Sequence, residues 1–208
     1  MDIRGFYAIT DEVLTPYQDG KVFLMVEKAL RGGAKFIQLR DKTTPLENLI
    51  YLALELKKLC HKFNAYFIVN DRVELGARVS ADGVHIGKDD ASLAEVKKFF
   101  KGPIIGVSCY GDIKRAVEAE KQGATYVAFG SFYPSPTKPN AKIVDKNIIP
   151  MAKKILKIPV CAIGGITLEQ AYELVKLGAD MIAVISDLWK SEDIEEKARA
   201  YAKLFNYV

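Results

Sequence analysis

Thiols and imidazoles are scarce in this chain. Among its 208 residues there are three cysteines and two histidines. Cys60, Cys109 and Cys161 are odd in number, widely spaced and never paired as CxxC. Such a set argues against a disulfide framework or a zinc site and suits a reducing compartment, so a cytoplasmic protein is expected. The opening MDIRGFYAIT has no charged segment followed by a long apolar one, so a secretory leader is not expected. No apolar run approaches the roughly 20 residues a membrane helix needs, so no membrane partner is expected either. Arginine-rich runs and basic patches interleaved with aromatics are also missing, which sets nucleic acid aside. The net charge of +4 favours anionic small molecules only weakly. Most lysines stand beside Glu or Asp, as on solvated helix faces.

What the chain does have is alternation. Short apolar, β-rich runs occur at Gly5–Ile9, Lys35–Leu39, Tyr66–Val69, Gly83–Ile86, Ile104–Val107, Tyr126–Phe129, Val160–Ile163 and Met181–Ile185. They are continuous rather than alternating in polarity, the pattern of parallel strands covered on both faces. Helical spacing fills the intervals, as in Val22-Phe23-x-x-Val26-x-x-Ala29-Leu30 and Leu46-x-x-Leu49-Ile50-x-x-Ala53-x-x-Leu56. Gly33-Ala34, Gly123-Ala124 and Gly178-Ala179-Asp180 mark helix ends, where glycine takes the left-handed conformation cheaply. Eight strand–helix units predict an α/β fold with residues 1–208 as a single (β/α)8 barrel domain. A doubly wound open sheet is the other architecture these units allow, because periodicity does not report closure. The series is interrupted by GSFYPSPTKPNAKIVDKN (130–147), a long proline-rich loop after strand 6 that reads as a lid or as a variable surface loop.

Ligands of parallel α/β folds sit at the carboxyl ends of the strands. Those ends carry Thr10-Asp11, Gln38-x-Arg40-x-Lys42, Asn70-Asp71, His85-x-Gly87-x-Asp89-Asp90, Ser108, Gly130-Ser131, Gly164-Gly165 and Ser186. The amino ends carry Gly-Ala, Pro or Lys instead. Taken singly, Asn70, Asp71, Asp89 and Asp90 are as well explained as helix caps. Together, acids after neighbouring strands 3 and 4 suit a hard cation, Mg²⁺ above all, which keeps waters and takes phosphate oxygens. His85 reads as a structural histidine within an apolar strand. His61 lies in a charged helix end, where a cation is favourable in any case. Gly164-Gly165 and the loop opened by Ile185-Ser186 offer backbone N–H groups to a phosphate, although a tight turn explains the glycines equally well. The rim thus reads as binding two anions, a diphosphate beside cations and acids and a monophosphate opposite.

QLRDK (38–42), VNDR (69–72), ADGVHIGKDD (81–90), GVS (106–108), FYPSPTK (132–138), AIGGI (162–166) and AVIS (183–186), in this order, resemble the thiamine-phosphate synthase family over nearly the whole chain. The resemblance implies a transferase that joins a pyrimidine diphosphate to a thiazole phosphate and releases pyrophosphate. It places Gln38, Arg40, Lys42, Asn70 and Lys138 on the diphosphate substrate, with Leu39 and Asp41 in the same QLRDK segment. Asp71 and Asp90 hold Mg²⁺, and Ser108 contacts the pyrimidine. Ser135, Thr137, Gly165, Ile185 and Ser186 hold the thiazole phosphate. Arg40, Lys42, Ser108 and Lys138 form the catalytic set of a dissociative route through a pyrimidine cation, which needs no protein nucleophile. Three departures stand out: Ser135 where the family has Thr, Ser131 where it has proline, and PNAKIVDK without the usual glycines. The related thiazole tautomerase shares the barrel but relies on a histidine near Gly130-Ser131, which this chain lacks. A phosphate-binding barrel without turnover also keeps such a rim. Homo-oligomerisation is left open by the sequence.

Overall fold

The structure is a computed structural model that describes residues 1–206. Each of eight strands pairs in parallel with its sequence neighbours, and the first closes against the last. The strands are β1 (Gly5–Ile9), β2 (Phe36–Leu39), β3 (Tyr66–Asn70), β4 (Gly83–Ile86), β5 (Ile104–Tyr110), β6 (Tyr126–Phe129), β7 (Val160–Ile163) and β8 (Met181–Val184). Closure runs from Gly5 opposite Met181 to Ala8 opposite Val184, which rules out the open sheet. Around the barrel lie α1 (Lys21–Gly32), α2 (Leu46–Lys62), α3 (Val73–Arg78), α4 (Leu93–Phe99), α5 (Ile113–Lys121), α6 (Ile148–Ile155), α7 (Leu168–Lys176), α8 (Ser186–Trp189) and α9 (Ile194–Lys203). No helix among the described residues is long and apolar enough to cross a membrane.

Continuous apolar runs follow from burial on both faces. Successive side chains on a strand point to opposite sides. Phe6, Ala8, Ile37, Leu39, Val84 and Ile86 point outward into the layer beneath the helices. Tyr7, Ile9, Phe36, Ile68, Ile104, Tyr126, Cys161 and Met181 point inward and fill the barrel. Fully burying one such large side chain contributes about 1.5–3 kcal/mol. The helices answer with one apolar face each; α1 buries Val22, Val26, Ala29 and Leu30 at helical spacing. Gly106 on β5 has a local reason to lack a side chain, since a Cβ there would lie 2.1 Å from the Tyr126 ring.

Strand ends differ from the sequence expectation by a few residues. β2 starts at Phe36 rather than Lys35, β3 continues to Asn70, β8 stops at Val184 and β5 runs on to Tyr110. The β5 extension contains a register shift between Ser108 and Tyr110. Hydrophobicity could not mark it, because a shift is a matter of pairing. The segment 130–147 lies between β6 and α6 with neither helix nor strand. Its base is tied down: the Phe132 and Tyr133 N–H groups donate to the carbonyls of Ile163 and Gly164 at 3.2 and 3.0 Å, and the Val144 N–H to that of Ser131 at 2.8 Å.

Candidate active site

The carboxyl ends of the strands open into a cavity of about 1460 Å³. Gln38 enters it from β2 and Arg40 and Lys42 from just after it, Asn70 from the end of β3 with Asp71 following, and Asp90 after β4. Ser108 comes from β5, Ser135, Thr137 and Lys138 from the long loop, and Gly165, Ile185 and Ser186 from the ends of β7 and β8.

Leu39 and Asp41 are brought elsewhere. Period two sends Leu39 outward under the helices, buried in the outer core. Asp41 is turned into its own loop and is 2% exposed. It accepts hydrogen bonds from the N–H groups of Thr43 (3.0 Å) and Thr44 (2.8 Å) and from the hydroxyls of Thr44 and Tyr17 (both 2.7 Å). Burial alone would raise the Asp41 carboxyl; those donors overcome it and hold it below the usual carboxylate range. The loop is fixed further by Arg72, which donates to the Thr44 carbonyl at 2.6 Å. Asp41 is thus a strut that leaves Arg40 and Lys42, one residue to either side, facing the cavity.

The carboxylates are not helix caps. The N-cap of α4 is Ser92, in a reciprocal box with Glu95, and the N-cap position of α3 is Arg72, which makes no side-chain cap. Asp71 instead bonds Lys42 Nζ at 2.8 Å. The Asp90 carboxyl lies beside it. Asp90 accepts from the Gly87 N–H at 2.5 Å. Burial pushes the Asp71 carboxyl up, but Lys42 and the Asp90 contact bring it below its ordinary value. Asp90 is raised, first by burial and then by the Asp71 carboxylate beside it. Lys138 is lowered by burial and then by the nearby charges of Arg40 and Lys42, against the pull of the two acids. Three cations and two acids therefore share one corner, with like charges crowded on both sides.

On the opposite rim Gly164 and Gly165 take φ of +103° and +65°. A Cβ on Gly165 would lie 2.4 Å from the carbonyl oxygens of Tyr133 and Pro134, so the base of the long loop rests directly on this turn. Thr137 donates its N–H to Ser135 Oγ at 3.2 Å, a local turn that shapes the loop tip.

Composition and periodicity did not mark Tyr7 and Tyr126, which read as core. Their rings are fully inside the barrel, yet their hydroxyls form a polar floor below the cavity. Gln38 Nε2 donates to Tyr7 OH (2.8 Å), Tyr7 OH meets Tyr126 OH (2.8 Å), and Tyr126 OH meets His85 Nδ1 (2.8 Å). His85 Nε2 meets Ser108 Oγ at 2.7 Å. Burial is the main cause that drops the His85 imidazole to about 4, so it is neutral at neutral pH. The one available signal was period two, which puts Tyr7 on the same inward face as Ile9 and Gln38 on that of Phe36.

A smaller cavity of about 450 Å³ lies at the amino ends, between β1 and α9. It is lined by Lys35, Arg199 and Lys203 among others and meets no strand carboxyl end.

Closed barrel and polar rim define the class, a (β/α)8-barrel enzyme with its site at the carboxyl ends of the strands. A family model described as thiamine monophosphate synthase matches residues 6–188. The thiamine-phosphate synthase of Nitrosococcus oceani is 44% identical over 204 residues, covering 98% of this chain and 93% of that protein. That of Thermoplasma acidophilum is 39% identical over 207 residues, covering 99% and 95%. The structure of thiamine phosphate pyrophosphorylase from Pyrococcus furiosus superposes with a TM-score of 0.89 at 35% identity, covering 99% of this chain and 96% of that one. The chain belongs to the thiamine monophosphate synthase family.

Proposed function

We propose that this barrel, acting as one domain over residues 1–208, is a thiamine-phosphate synthase. It condenses 4-amino-2-methyl-5-(diphosphooxymethyl)pyrimidine with thiazole phosphate to give thiamine phosphate and pyrophosphate. The observation that carries the reading is the crowding of Arg40, Lys42 and Lys138 around Asp71 and Asp90. Lys138 is depressed by burial and then by the other two cations; a diphosphate placed among the three relieves that repulsion.

The donor set suits Mg²⁺. It offers carboxylate oxygens only, and Asp90 is raised by burial and then by a neighbouring carboxylate, a repulsion that a cation removes. Asp71 and Asp90 would hold the ion and leave its other positions to water and phosphate oxygens, as Mg²⁺ prefers. Bound there, it supplies charge neutralisation to the leaving diphosphate.

In the reaction the bond between the exocyclic carbon and the diphosphate oxygen breaks, and its electron pair leaves with pyrophosphate. Arg40, Lys42 and Lys138 absorb the growing negative charge. The aminopyrimidine carries the resulting cation, Ser108 contacts that ring, and the thiazole nitrogen lone pair forms the new C–N bond. Gln38 and Asn70 orient the pyrimidine diphosphate. Ser135, Thr137, Gly165, Ile185 and Ser186 hold the thiazole phosphate. The long proline-rich loop acts as a lid that carries Lys138 over the cation and keeps water away. A reducing cytoplasm fits three unpaired, buried thiols.

Incubation of the protein with both substrates and Mg²⁺ tests the reading. Thiamine phosphate and pyrophosphate in equal amounts, abolished by EDTA and restored by Mg²⁺, is the expected result. Ligand uptake without product would instead leave a phosphate-binding barrel, and conversion of a thiazole carboxylate without the pyrimidine would leave a tautomerase.

A further inference from the structure

The polar floor has a direction. An amide nitrogen only donates, so Tyr7 receives a hydrogen from Gln38 Nε2. The single proton of Tyr7 then has one neighbour to serve, Tyr126. Tyr126, accepting from Tyr7, gives its own proton to His85 Nδ1. A histidine that accepts at Nδ1 and is neutral carries its proton on Nε2, which donates to Ser108 Oγ. Every proton along the line has one acceptor, and no buried side-chain nitrogen or oxygen among the described residues lacks a partner.

Both ends of the line face the cavity. With one Nε2 hydrogen given to Tyr7, the Gln38 amide is held in one orientation, with its carbonyl oxygen and its second N–H left for a ligand. With Oγ accepting from His85, Ser108 has its own O–H left, a donor. Reversing any one bond would require reversing them all, with the Gln38 amide flipped and the Ser108 O–H turned in to His85.

We infer that Tyr7, Tyr126 and His85 are positioning residues, forming a one-way hydrogen-bond line that fixes the orientation of the Gln38 amide and leaves the Ser108 O–H free to donate toward the substrate ring. A free Ser108 O–H suits a ring nitrogen that carries no proton. The substrate side of the inference rests on the synthase reading; the direction of the line does not.

Long-range ¹H–¹⁵N correlation of the imidazoles at neutral pH is the test, with His61→Gln identifying the second histidine. His85 protonated on Nε2 in the wild-type protein is the expected result; protonation on Nδ1 overturns the inference outright. Tyr126→Phe should release the tautomer to a mixture. It should also raise the KM for the pyrimidine diphosphate about tenfold, the scale of one lost hydrogen bond in a buried site. The KM for thiazole phosphate should stay unchanged. Tyr7→Phe should raise the same KM while leaving His85 on Nε2, because Tyr126 still donates to it. Variants that keep wild-type KM overturn the positioning role. A wild-type protein that makes no thiamine phosphate sinks the synthase reading alone, and the tautomer measurement stands apart from it.

Discussion

Asp71 sits at φ +60°, a left-handed conformation that Asn and Asp tolerate better than other side chains. Asp71→Asn therefore keeps the backbone and removes the charge. Its ion pair with Lys42 is partly exposed and contributes at most about 1 kcal/mol to folding. Turnover should fall 100-fold or more and the Mg²⁺ response should flatten, while the melting temperature moves little; steady-state rates across a Mg²⁺ titration with a thermal melt check both. Asp41 is the opposite case, structural rather than chemical. Its folded carboxyl lies below the unfolded value, so its stabilisation is present above about pH 3.9 and is lost as pH falls through the folded pKa. Asp41→Asn should cost about 1–3 kcal/mol at pH 7, and the gap to wild type should close progressively below about pH 4 in denaturant titrations. QLRDK was legible as a cluster of polar residues at a strand end. Which of its members faced the ligand was not, because period two assigns faces only once the register is known.

Among the elements, the eight strands were readable from apolar runs because burial on two faces erases alternation. Their ends were less so: the β5 irregularity and the loss of Ile185 from β8 depend on partners, not on propensity. The long segment 130–147 was visible through Pro134, Pro136 and Pro139. Its anchoring on β7 was not, since the donors are backbone N–H groups common to every residue. Lys138 reaches Arg40 and Lys42 from this segment. Lys138→Ala should lower the single-turnover rate about 100-fold, in the range found for removal of one electrostatic donor, with thiazole phosphate affinity changed less than threefold. Rapid-quench kinetics beside equilibrium binding separates the two effects. Equal losses in both would mean that the lysine only builds the loop.

For the whole molecule, the barrel interior is at once core and floor of the site. Gly106→Ala pushes a methyl into the Tyr126 ring, an overpacking that typically costs 1–3 kcal/mol or more. The melting temperature should drop, and KM for the pyrimidine diphosphate should rise with it, because the same ring carries the Tyr7–His85 link. A fall in stability with KM unchanged would show the floor to be uncoupled from binding. By itself the sequence determined the number of strand–helix units, their parallel sense and the concentration of charge at one set of strand ends, since burial and chain order dictate all three. Closure of β1 on β8, the turning away of Leu39 and Asp41, and the meeting of polar groups from β2, β4 and β5 through tyrosines on β1 and β6 were decided only by the tertiary structure. The physical reason is that each depends on register between segments far apart in the chain, and a local pattern does not encode register.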